Sequence, residues 1–185
     1  MSFPAFKEWS VIVNALGAGE QILILRKGGI SEGRGGFQVS AQKFWLFPTH
    51  FHQQLEKTKP AAASFAAPAV EPGVVAPPER IELRYFAEII QSTFLTDWSA
   101  VSRLDTHHFW TEDTVRERFD WSKPAGLHAI VVRVHKLATP ISLPLTPEMG
   151  GCKSWIELPC AFDAQPSSPV LSDAGFSERL AALSL

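Results

Sequence analysis

The sequence predicts an α+β fold: a twisted mixed or barrel-like β-sheet with helices packed against it and a long Pro/Ala-rich insertion. Three observations lead there. Short apolar runs with strand character, such as residues 22–25 and the segment LHAIVVRVHKL, recur along the chain. Segments whose apolar residues fall three or four apart lie between them, as in amphipathic helices. The halves are separated by TKPAAASFAAPAVEPGVVAPPE, residues 58–79, too rich in proline and alanine and too poor in charge to suggest packed structure.

From the N-terminus, PAFKEWSVIVNALGAG sets Phe6, Trp9, Val13 and Leu16 on one helical stripe, and Gly17 and Gly19 supply the stop. Residues 22–25 are apolar without alternation and predict a strand covered on both faces. Residues 37–39 and 43–47 read as short strands. Pro48 is expected to break the second, and Thr49 to cap a helix running to about Lys57. Beyond the insertion, Ile81, Leu83 and Tyr85 alternate with polar neighbours, predicting a strand. A short helix is expected over 98–104, and another begins at a Thr111 cap followed by Glu112 and Asp113. In LHAIVVRVHKL, Ile130, Val132 and Val134 share one face, and Val131, Arg133 and His135 the other. KSWIEL predicts a final strand. SDAGFSERLAALSL then predicts a capped amphipathic helix with Phe176, Leu180 and Leu183 on one side. A structureless stretch as long as 58–79 is unusual inside one compact domain. The expected organisation is therefore an N-terminal lobe of helix and strands at 1–57, a linker at 58–79, an α+β lobe at 80–159, and a tail at 160–185.

Composition narrows the function. With 185 residues, 45% hydrophobic and 19% charged, the chain is long enough to bury a core. A net charge of −2 excludes an overall basic nucleic-acid binder and leaves room for a local basic patch. No run approaches the roughly eighteen apolar residues of a membrane span, and the N-terminal MSFPAFKEWS has charges where a secretory signal has its apolar core. Cys152 and Cys160 form neither a CxxC nor a disulfide framework, so a cytoplasmic protein with reduced thiols is expected.

The blocks FKEWSVIVNALGAGEQILILRKGGI, FWLFPTHFHQ, HHFWTEDTVRERF and GGCKSW together resemble the bacterial family domain of unknown function 1802, over residues 5–57 and 80–158. The resemblance implies a compact bacterial protein and lends the blocks no catalytic roles.

RKGGISEGRGG, residues 26–36, contains the spacing GxxxxG, yet Arg34-Gly35 stands where a nucleotide-binding loop needs Lys followed by Ser or Thr. FQVS follows it and is strand-like, so no helix N-terminus faces the loop. GxGxxG fails because Gln38 takes the third glycine position. The segment reads first as a connection between strands. Second, it reads as an anion nest in which Arg26, Lys27 and Arg34 flank Gly28 and Gly29.

His50 and His52 would share a face only on a strand, and the adjacent His107 and His108 cannot both face one site in regular structure. No metal-ligand spacing results, and no metal or cofactor is expected. Cys152 precedes Lys153, whose ammonium could lower the thiol pKa, although strand neighbours point apart and a buried inert cysteine is the commoner outcome. Glu112 and Arg116 are four apart and suit a solvated helical pair. Arg118 and Arg133 could instead line a groove.

Three functions follow, in order. The first is a non-catalytic module binding a phosphate-bearing ligand, RNA or nucleotide, through Arg26, Lys27, Gly28, Gly29, Arg34, Arg118 and Arg133. The second is an interaction or structural protein whose partner docks on the C-terminal helix. The third is a small hydrolase using His52, His108 and Cys152.

Overall fold

The stripe of Phe6, Trp9, Val13 and Leu16 crosses a strand and a helix in the computed structural model, which describes residues 2–27, 41–50, 53–66, 79–121, 123–151, 153–183 and 185. Strand β1 is Phe3–Trp9 and helix α1 is Ser10–Gly17. The expected helix over the whole segment is corrected for a tertiary reason. β1 pairs in parallel with β3 (Lys43–Thr49) and antiparallel with β6 (Trp155–Leu158), and two ladders outweigh an accidental helical period. The switch at Trp9 leaves the first amides of α1 without partners. Gln54 supplies one, its Oε1 accepting from the Val11 amide at 3.3 Å and from the Ser10 hydroxyl at 3.1 Å. Gly19, with φ of 74°, ends the helix as expected.

Pro48 does not break β3, which runs on to Thr49, because β4 pairs only with Lys43, Phe44 and Trp45 and the rest of β3 is held by β1. The Thr49 hydroxyl donates to the Glu8 carbonyl at 3.0 Å, and residues 53–57 form turns in place of the expected helix. The strand expected at 37–39 lies outside the described residues.

Strands β2 (Leu23–Arg26), β4 (Arg80–Leu95), β5 (Leu127–Pro144) and β7 (Ser167–Pro169) complete an open, mixed seven-stranded sheet among the described residues. Its order is β2-β5-β4-β3-β1-β6, with β7 on β5. β7 makes KSWIEL the penultimate strand rather than the last. Strands from both sides of 58–79 therefore lie in one sheet. Part of that stretch is packed: Pro60–Phe65 forms a 3₁₀ turn with Ala62 buried, and the Phe65 carbonyl accepts from Asn14 Nδ2 at 2.8 Å.

The long β4–β5 pair carries two register irregularities, at Leu83/Tyr85 and Ile89/Gln91, and such bulges bend and twist a sheet. The sheet curls until its ends approach. Arg26 at the end of β2 donates to the hydroxyl of Ser154, next to β6, from Nε at 3.3 Å and from a terminal nitrogen at 3.1 Å. Among the described residues no ladder joins β2 to β6, and a side chain bridges the opening.

Strand alternation separates two apolar clusters. Phe6, Phe44, Leu46 and Ala87 face the inner core with α1, and Ala5, Trp45, Phe47 and Phe86 face a second core with Leu158 and Cys160. Helices α2 (Trp98–Ser102) and α3 (Glu112–Asp120) follow β4 as expected, the latter capped by Thr111 Oγ1 accepting from the Thr114 amide at 3.3 Å. Helix α4 (Asp173–Ala182) is capped by Ser172 and buries Phe176.

Candidate ligand-binding site

Two regions gather arginines. The first is the seam where β2 approaches β6. Glu8, on β1, is enclosed; its Oε1 accepts the Trp9 amide at 2.8 Å and its Oε2 lies 3.8 Å from Arg26. Among the described residues that Oε2 makes no hydrogen bond. Arg118 reaches the same place from α3. Its guanidinium stands 4.9 Å from the Trp9 ring centre and 4.7 Å from that of Trp110, and donates to the Leu25 carbonyl at 2.9 Å. Burial pushes the Arg118 pKa down to about 10, Glu8 opposing and Arg26 adding to the shift, so the group stays charged at neutral pH. Glu8 thus pairs with Arg26 and is the nearby negative charge that favours a charged Arg118.

The remaining cations of the sequence-predicted set lie elsewhere. Lys27 donates to the Pro124 carbonyl at 2.6 Å, 5.6 Å from the Phe94 ring centre, and burial lowers its pKa. Arg133 is five residues along β5 from His128, the partner of Arg26, which is roughly 17 Å of strand. There it pairs with Asp173 and lies over Phe176. Gly28, Gly29 and Arg34 lie outside the described residues, as do His52 and Cys152. The third member of the His/Cys set, His108, is buried, and burial first and Lys59 second push its pKa to about 4. A neutral His108 packed beside Trp110, its Nδ1 without a hydrogen bond among the described residues, fits a core role. Among the described residues no group of three or more His, Cys, Asp or Glu side chains could hold a metal. Arg116 pairs with Asp120 at 3.4 Å, rather than with Glu112, and stacks over Trp98.

The second region is a cleft of about 450 Å³ between α1, the end of β3 and the start of β4. Pro48 gives it an accessible apolar wall backed by the buried Val13, Leu46 and Ile81, and Arg80, Arg84, Glu82 and His50 give it a charged and polar rim. Arg80 is held in place by Ser142, its Nε donating to the hydroxyl and a terminal nitrogen to the carbonyl, both at 2.9 Å. Arg84 pairs with Glu82, and both stay half exposed. Strict alternation would send neighbours Arg84 and Tyr85 to opposite faces; the register irregularity at Leu83/Tyr85 lets both line the cleft. Gly17 at the end of α1 makes room for Tyr85, whose ring atoms come within 2.2 Å of where a β-carbon on Gly17 would stand.

Sequence reasoning singled out neither Arg80 nor Arg84. The available signal was RIELR, an alternating strand with arginine at both ends of its polar face. A larger, more open hollow near Lys43 and Phe162, about 660 Å³, carries a weaker charge signal because Lys43 pairs with Glu88 at 3.2 Å and Asp163 joins its lining.

The fold and its cleft define an α+β protein with an open mixed sheet and an arginine-bearing hollow beside its first helix. The chain belongs to the family Domain of unknown function (DUF1802), whose model matches residues 5–182. None of the curated proteins matches it. Among solved structures it is similar to ASCH from Zymomonas mobilis, at 13% identity over 97% of this chain and 94% of that one, with a TM-score of 0.45. A tyrosine-to-phenylalanine mutant of that protein gives 13% identity, 97% and 96% coverage and a TM-score of 0.47. These are distant likenesses, and no residue role in this chain follows from them. Among the described residues no helix is long and apolar enough to cross a membrane.

Proposed function

We propose that the chain is a non-catalytic binding module that takes a phosphate-bearing ligand, RNA or nucleotide, in the cleft between α1 and β4. The observation that carries this reading is the setting of Arg80. Its guanidinium is fixed by a hydroxyl and a carbonyl of Ser142 and has no carboxylate ion partner among the described residues. A fixed, uncompensated guanidinium is a preorganised phosphate donor. Arg84 stands four residues from Arg80 along β4, within the same rim, and shares its charge with Glu82. The seam arginines, Arg26 and Arg118, hold the sheet ends together in this reading.

Titrating a labelled single-stranded RNA oligonucleotide into the protein between about 50 and 200 mM salt tests it. Affinity is expected to fall linearly on a log–log plot, and Arg80→Ala is expected to lower the slope by about 0.7, the value for one single-strand phosphate contact. Absence of binding even at the lowest salt removes the proposal.

A further inference from the structure

We infer that the cleft accepts one unpaired nucleotide unit, its base against the apolar wall and its phosphate on Arg80 and Arg84. The inference rests on the binding-module reading and adds the ligand class. A phosphate alone needs only the cationic rim. The cleft also offers the half-buried Pro48 and Tyr85 rings, surface a phosphate cannot use and a base can. Its volume of about 450 Å³ falls in the range of roughly 300–1,000 Å³ that holds small ligands and cofactors. A base stacked and paired in a duplex would have to leave its helix to enter, which costs a few kcal/mol. An unpaired one would not.

Two details fix how the base would lie. Tyr85 is backed by Gly17, so its ring is held at one position on the wall rather than free to swing. Asn14 spends its Nδ2 on the Phe65 carbonyl at 2.8 Å, which leaves Oδ1 as the side chain's acceptor on the cleft wall. An acceptor above an apolar floor suits an N–H on a base edge. The same chemistry is offered by a free mononucleotide and by the exposed end of a single strand.

Competition against the labelled single-stranded RNA separates these sources. Unlabelled nucleoside monophosphates, inorganic phosphate and a duplex of the same sequence are each added at matched ionic strength. The expected result is displacement by a monophosphate at least about tenfold more effective than by phosphate, the scale of one base–aromatic stack. Tyr85→Leu is expected to remove most of that preference. Because Tyr85 also packs on Gly17, Pro48→Ala, which trims apolar surface from the half-buried part of the wall, provides a second variant with the same expected loss. If phosphate competes as well as the monophosphates, the base subsite is wrong. If monophosphates fail at millimolar concentration while the strand still binds through Arg80, the one-nucleotide inference falls and the binding-module reading stands. If neither strand nor monophosphate binds, both fall together.

Discussion

At the seam, Arg26 and Arg118 are only partly accessible, lie over Phe6, Trp9 and Trp110, and stand near the buried Glu8; in the cleft, Arg80 and Arg84 stand exposed on the first residues of β4. The same side chain serves opposite ends because its surroundings differ. The partly enclosed guanidinium groups spend donors on Ser154 and the Leu25 carbonyl and π-faces on aromatic rings, so they hold segments of the fold together. Exposed ones retain donors for a ligand. A count of arginines near glycines could not make this distinction, since what separates the regions is which neighbours the fold brings to each group.

Glu8→Gln is the sharpest way to break the seam. The amide keeps the shape and can still accept from the Trp9 amide, but it leaves Arg26 without its ion partner and Arg118 without a nearby negative charge. Removing one member of a buried ionic set costs about 3–5 kcal/mol, and Arg26 being partly exposed favours the lower end. Urea unfolding followed by tryptophan fluorescence measures the loss. A change under about 1 kcal/mol means the seam is not a cohesive ionic unit.

His108 gives the next largest effect, and its pH dependence has a definite sign. Burial lowers its pKa from 6.5 to about 4, so the folded state favours the neutral ring. The stabilisation is therefore complete above about pH 6.5 and is lost as pH falls through about 4. The shift corresponds to about 3 kcal/mol. Unfolding free energies of the wild type and His108→Leu, measured from pH 7.5 downward, should differ by a pH-dependent amount of that order. A constant difference would show that the ring is solvated.

These two tests concern residues that the sequence made visible to different degrees. Strands β4 and β5, the Thr111 and Ser172 caps and the Gly19 stop were legible because local pattern and tertiary outcome agree there. The split of residues 3–17 into strand and helix was not, because it depends on ladders to β3 and β6, whose residues lie some forty and a hundred and fifty positions away. Arg26 and Arg118 were legible as candidates. Their gathering at the β2 end near Glu8 was not, because it requires the sheet to curl. The cleft was invisible for a similar reason: a bulge turns Tyr85 to the side of Arg84, against the period of two that the sequence displays.

Within the cleft, Gly17→Ala separates shape from charge. On helix propensity alone, alanine would stabilise by up to about 1 kcal/mol. The new methyl would stand inside the Tyr85 ring, so a loss of about 1–3 kcal/mol is expected instead. In a double-mutant cycle with Tyr85→Ala the penalty should largely vanish, because the two changes act through one contact. A stabilised single variant would mean that the ring stands off the helix and that the cleft wall is differently shaped.

The smallest stability effect belongs to Arg80→Ala, and its smallness is what makes the comparison decisive. Arg80 is exposed, and its two bonds to Ser142 replace bonds it would otherwise make to water. The unfolding free energy should therefore move by no more than about 0.5 kcal/mol. A matching fall in RNA affinity with that small stability change would place the residue's value in ligand contact rather than in the fold. If Arg80→Ala instead cost as much stability as Glu8→Gln, the rim would be structural like the seam, and the contrast between enclosed and available guanidinium groups would fail.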